Sequence, residues 1–85
     1  MILKSFNHLS WQCRRGMLEL DEILFKFFNT HYTNLSLDLK LKFNQLLEAS
    51  DADLFDWLLN KSLPSNMELI DLIIIIRKNL LGYKI

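Results

Sequence analysis

A glycine at position 16 stands between a pair of arginines and an acidic, amphipathic run, in the order Trp-Gln-Cys-Arg-Arg-Gly-Met-Leu-Glu-Leu-Asp over residues 11–21. Apolar residues recur at helical spacing on both sides of it: Phe6, Leu9 and Cys13 before, and Met17, Leu20, Leu24, Phe27 and Phe28 after. Gly16 therefore reads as a joint between two helices. The two arginines suit the negative end of the first helix, and Glu19, Asp21 and Glu22 suit the positive start of the second. The same joint gathers Trp11, Arg14, Arg15 and Glu19 away from the apolar stripes, which makes it the best candidate for a contact surface.

Helical signals continue along the chain. Helix one is expected over residues 3–15, with Ile2, Phe6, Leu9 and Cys13 on one stripe, and Trp11 one turn from both arginines, within reach of a cation–π contact. Helix two is expected over 17–29. Its polar stripe is Glu19, Glu22, Lys26 and Asn29, and Phe25, Phe27 and Phe28 are expected to supply much of the core. A polar turn follows at 29–34. The next stretch admits two readings. Leu35, Leu37, Leu39, Leu41 and Phe43 alternate with polar residues as a half-buried strand would. However, leucine favours helix, Ser36 can cap one, Asp38 and Lys42 stand four apart, and Leu39, Phe43, Leu46 and Leu47 continue a helical stripe. A lone strand would also lack a partner, so helix over 37–49 is preferred. Ser50 or Asp51 caps a fourth helix that stops near residue 61, ahead of Pro64. Ser65 and Glu68 have the spacing of a capping box, opening a fifth helix to about residue 80, with Gly82 beyond its end and a loose tail over about 82–85. The β-branched run Ile73–Ile76 competes as a strand, but the cap and the length favour helix. The expected architecture is a single all-α domain over 1–85, a compact bundle of five short helices.

Bulk composition narrows the function. Eighty-five residues bury only roughly 60–65% of their unfolded surface, leaving little room for a deep active site. Ten acidic and ten basic residues give zero net charge, which argues against nucleic acid as a partner. The most apolar run, 72–76, is far short of the about 20 residues that cross a bilayer, so no membrane insertion is expected. Nor is a secretory signal evident at the N-terminus, and a single cysteine fits a reducing compartment; the expected location is the cytoplasm. His8, Cys13 and His31 are the only soft metal ligands and lack metal-site spacing. Cys13 on the apolar stripe reads as a small core residue rather than a nucleophile. The carboxylate groups at 19–22 and 51–56 each begin a helix, where they serve its dipole. With no phosphate loop either, no catalytic residue, metal or cofactor of its own is expected. Trp57, offset from the Leu54/Leu58 stripe, reads as core or contact, and the isoleucine run reads as core. On composition alone the Arg14, Arg15 and Glu19 patch could equally be ordinary capping charge.

A resemblance shifts that balance. The words Trp-x-Cys-Arg-Arg-Gly-Met-x-Glu-Leu-Asp at 11–21, Leu-Leu-Glu at 46–48, Asp-x-Asp-Leu-Phe at 51–55 and Trp-Leu at 57–58 resemble the SdhE family over roughly residues 10–60. Members assist covalent attachment of FAD to the flavoprotein subunit of succinate dehydrogenase, and in bacteria of fumarate reductase; some were described as antitoxins to a membrane-associated toxin. The resemblance implies a non-enzyme that docks on the flavoprotein through Arg15, Gly16 and Glu19, flanked by Arg14 and Trp11, with Asp21 as an accessory. FAD would belong to the partner. Arg15 would form charge-assisted hydrogen bonds to the flavoprotein, Gly16 would allow close backbone approach, and Glu19 would meet a cation or fix Arg15. An antitoxin-like protein is the alternative. Oligomeric state is expected to be monomeric or weakly self-associating, the latter through the isoleucine-rich helix.

Overall fold

The computed structural model describes residues 5–60 and 62–83, the last four by their backbone only. Five α-helices follow one another: α1 (Phe6–Gln12), α2 (Leu18–His31), α3 (Leu37–Leu46), α4 (Asp51–Leu58) and α5 (Ile70–Tyr83), with 3₁₀ turns at Tyr32–Asn34 and Met67–Leu69. No strand occurs among the described residues. The all-α bundle read from the sequence is the fold.

Side-chain caps explain where the helices start. Ser5, Ser36 and Ser50 each accept from the backbone N–H three residues on, satisfying a donor that the first helical turn leaves unpaired. Ser36 also decides the ambiguous segment. Once it caps α3, the alternating leucines wind onto a cylinder: Leu37 faces water, while Phe43, Leu46 and Leu47 are buried. Asp38 and Lys42 form the expected ion pair, 3.1 Å apart.

Several expected boundaries move. Helix one ends at Gln12 rather than 15, so Arg14 and Arg15 leave it; the part of its expected start at residues 3–4 lies outside the described residues. Helix two runs two residues further, to His31, and tightens into the first 3₁₀ turn because Tyr32 is buried there. Helices three and four stop earlier than expected, at Leu46 and Leu58. The cap before the fifth helix is Asn66, whose Oδ1 accepts from the Glu68 N–H at 3.0 Å, in place of Ser65. That helix continues through Gly82 to Tyr83, so the expected tail begins inside it; Lys84 and Ile85 lie outside the described residues.

The core is built around α2. Phe27 and Phe28 lie against Phe43 with ring centroids 5.9 and 6.0 Å away, and Tyr32 stands 5.5 Å from the same ring. Leu54, Leu58, Leu72, Ile73 and Ile76 close the other side, and Trp57 packs against this core. Phe25 does not belong to it. The α2 stripe that faces inward passes through Leu20, Ile23, Leu24, Phe27 and Phe28, and position 25 falls on the opposite side of the helix, 40% exposed. Within α5, Leu72, Ile73 and Ile76 are buried, and Ile74 is the exposed member of the run.

Short helices leave carbonyls unpaired at their C-termini, and with two glycines in the chain there is little scope for glycine caps. Two arginines take that role. Arg77 donates from Nε to the Trp57 carbonyl at 2.6 Å and from Nη2 to the Ser62 carbonyl, tying α5 to the end of α4. Arg15 does the same for α1 and α3.

Candidate functional site

The corner between α1 and α2 carries the residues singled out in the sequence. Gly16 has φ +86°, in the left-handed region that glycine enters without steric cost. Among the described residues, a Cβ placed there would meet no atom beyond its chain neighbours within 4 Å. The glycine is therefore required by the turn and not by packing inside the fold, and the space in front of it is open.

Around it the side chains divide into two sets. Trp11, 70% exposed, Arg14 and Glu19 face solvent, together with Met17 and Leu18. Arg15 faces the other way. Its side chain is 14% exposed, and its Nε donates to Asp51 Oδ1 at 2.8 Å. Nη1 donates to the carbonyls of Gln12 at 3.1 Å and Leu47 at 3.0 Å, and Nη2 to that of Ala49 at 2.6 Å. One guanidinium thus gathers the end of α1, the end of α3 and the start of α4. Asp21 works from the other side of the corner: its Oδ1 accepts from the Arg15 backbone N–H at 2.5 Å, fixing the chain as it enters the glycine turn.

This arrangement differs from a uniformly outward patch. Arg15 is internally hydrogen-bonded, and Asp21 is partly buried in its turn contact. The expected cation–π contact of Trp11 with the arginines is not formed, although the Arg14 N–H still donates to the Trp11 carbonyl at 3.1 Å; among the described residues the cation over a ring is Lys40, 5.6 Å from the Tyr32 centroid. From the sequence, Asp51 reads as a helix-dipole charge or a candidate cap of the fourth helix. Its link to Arg15 spans 36 residues, and no local pattern could have shown it.

Arg14, Asp21, Glu22 and Phe25 line an open depression beside the corner. Two carboxyl groups against one guanidinium give it the wrong sign for the pyrophosphate of a flavin nucleotide. Cys13, directly behind the corner, is fully buried, and burial pushes its thiol from 9.0 up to about 12, opposed in part by Arg15. A thiol so shifted stays protonated and unreactive at neutral pH. His31 stacks on Phe27, centroids 5.1 Å apart, and its Nδ1 meets the Thr30 hydroxyl at 2.6 Å. No group of three His, Cys, Asp or Glu side chains that could hold a metal comes together among the described residues, and no helix there is long and apolar enough to cross a membrane.

Fold and corner together define a class: a small all-helical domain whose most developed surface is an exposed, mixed apolar and charged corner around a left-handed glycine. Within that class the chain belongs to the family of flavinators of succinate dehydrogenase, whose model matches residues 7–80. It is 44% identical over 69 residues to a FAD assembly factor SdhE of Haemophilus influenzae, covering 79% of this chain and 81% of that protein. The same identity over 69 residues holds for the FAD assembly factor SdhE of Yersinia pestis, with 81% and 78% covered. For that of Pasteurella multocida it is 39% over 72 residues, with 85% and 86% covered. The family match takes in α5 as well as the motif-bearing helices, so it reaches beyond the stretch on which the resemblance was read.

Proposed function

We propose that this protein docks on the flavoprotein subunit of succinate dehydrogenase, and of fumarate reductase where that enzyme is present, and promotes covalent attachment of FAD to it. Family membership and the name shared by the relatives support this reading. The observation that carries it is the Gly16 corner, a left-handed turn with open space before it, whose shape is held from behind by Arg15 and Asp21. Trp11, Arg14, Gly16 and Glu19 are the contact residues. Arg15 and Asp21 are positioning residues, because their polar groups are engaged within the chain.

Attachment would join a flavin methyl carbon to a histidine nitrogen of the flavoprotein itself: the methyl C–H and the histidine N–H would each give up a proton and the two electrons would pass into the flavin ring, leaving it reduced. This requires negative charge to be stabilised on the flavin and the histidine to be held in line. A docking protein assists by fixing the flavoprotein in the conformation where both conditions hold. Its differential affinity for that conformation sets how far it can shift the equilibrium. In this reading FAD stays with the partner, since the acidic depression beside the corner does not suit it, and this chain donates neither a cofactor site nor a catalytic group. The encounter takes place in the cytoplasm, where a lone cysteine remains a thiol. No observation on this structure favours the antitoxin alternative.

The test is co-expression of the flavoprotein with this protein or its variants, reading in-gel flavin fluorescence after denaturation. Gly16→Arg fills the open space and should lower attached flavin about tenfold, as should Glu19→Ala if it meets a partner cation. Gly16→Ala adds one methyl and should retain most attachment while destabilising the fold by about 1 kcal/mol through its positive φ. Undiminished attachment with both Gly16→Arg and Glu19→Ala would overturn the reading.

A further inference from the structure

The sequence motif ends at Asp21, but the surface it belongs to does not. On α2, Leu18, Glu22 and Phe25 succeed one another at spacings of four and three, which places them in one row on the outward side of the helix. Leu18 is 74% exposed and Phe25 40%, whereas Phe27 and Phe28, two and three positions further on, are buried. Leu18 and Phe25 stand about 10 Å apart along the helix axis, at 1.5 Å per residue. The Phe25 ring shares the wall of one depression with Arg14, Asp21 and Glu22, so the apolar row is continuous with the glycine corner.

We propose that the outward face of α2, with Phe25 as its apolar anchor and Leu18 beside it, is the second half of the docking surface and seats in an apolar socket of the flavoprotein rimmed by basic side chains. This rests on the reading in the preceding subsection. Size is the first argument. A stable interface takes roughly 20–30 residues a side, and the corner alone offers only a handful. Along α2, exposed apolar surface adjoins it directly, from Leu18 to Phe25. Anatomy is the second: interfaces place an aromatic anchor in a pocket and ring it with polar groups. Phe25 has that setting, with Arg14, Asp21 and Glu22 about it. Charge is the third. Over the corner and the outward side of α2, the carboxylates of Glu19, Asp21 and Glu22 outnumber the cations of Arg14 and Lys26 by one, which favours a basic rim opposite. The same excess disfavours a second copy of this chain, which would bring like charge to like.

Binding of the purified flavoprotein, measured by titration calorimetry, and flavin attachment in co-expression test the proposal together. Phe25→Ala should weaken binding about tenfold, and Phe25→Glu by more, while thermal melts of both stay near wild type because the ring is half in water. Leu37→Glu, which places the same charge on an exposed apolar position of α3, should change binding less than about twofold. If Gly16→Arg abolishes binding and both Phe25 variants bind as wild type, the surface stops at the corner and the proposal falls. Gly16→Arg without effect instead removes the docking reading itself. If Phe25→Glu leaves flavoprotein binding intact but abolishes self-association in sedimentation runs, the face serves a second copy, and the proposal is equally overturned.

Discussion

Arg15 sits where three helix ends meet, and its four hydrogen bonds show that a residue within a surface motif can act from beneath the surface. Guanidinium geometry suits this: five donors in a rigid fork reach several carbonyls and a carboxylate at once. Arg15→Ala should lower unfolding free energy by about 2 kcal/mol, since the carbonyls of Leu47 and Ala49 lose a charged donor and Asp51 loses its counter-ion. Arg15→Lys should recover less than half of that, because an ammonium cannot span the same acceptors. Urea unfolding of both variants checks the pair, and equal stability of Arg15→Lys and wild type would count against the clamp. Cys13 offers a second check. Its thiol is held protonated in the fold up to about pH 12, whereas in the unfolded chain it ionises near 9.0. The unfolded state then releases a proton that the folded state keeps, so stability contributed at Cys13 is intact below pH 9 and falls as pH rises toward 12. Measured against Cys13→Ala, the wild-type urea midpoint should drop more steeply between pH 8 and 10.5, and a thiol reagent at pH 7.5 should modify the protein only when denaturant is added.

Capping decides much at the scale of the element. Ser36 was legible as a cap because a hydroxyl residue directly preceded an amphipathic run, and Ser50 was legible as one of two candidates beside Asp51; the structure bonds each serine to the N–H three residues on. Ser65 misled because the spacing to Glu68 fits a capping box, yet Asn66 stands one residue nearer and holds the Glu68 N–H. The two candidates separate experimentally. Asn66→Ala should cost about 1 kcal/mol, equivalent to a fall of roughly 4–8 °C in Tm for a domain of this size, while Ser65→Ala should be close to neutral. Helix C-termini were less legible. Gln12 and Leu58 end α1 and α4 without glycine caps; the Gln12 carbonyl is taken by Arg15, and the Trp57 carbonyl, one residue before the end of α4, by Arg77 twenty positions along the chain. Local sequence carries little sign of a stop made by a distant donor.

At the scale of the whole molecule, stability is concentrated in one aromatic cluster, because a chain of 85 residues has room for a single core. Phe43 is fully buried and ringed by Phe27, Phe28 and Tyr32. Phe43→Ala should cost about 3–5 kcal/mol, a large share of what so small a domain possesses, and should leave the protein largely unfolded at 37 °C by circular dichroism. The same single core leaves the proposed docking surface exposed. Helix α2 is buried along one side only, and its other side, with the corner before it, is left exposed for the proposed docking. The sequence by itself determined the class of fold, the number of helices, the cap at Ser36, the joint at Gly16 and the residues grouped around it. Each of these follows from periodicity or chemistry within a few positions along the chain. Only the tertiary structure decided that Arg15 faces inward while Arg14 faces out, that Asp51 is its counter-ion, and that Phe25 lies on the exposed side of a helix whose neighbouring phenylalanines form the core. The physical reason is that burial and ion pairing are set by which distant segments come to rest against each side chain, and adjacent residues of like chemistry carry no mark of that choice.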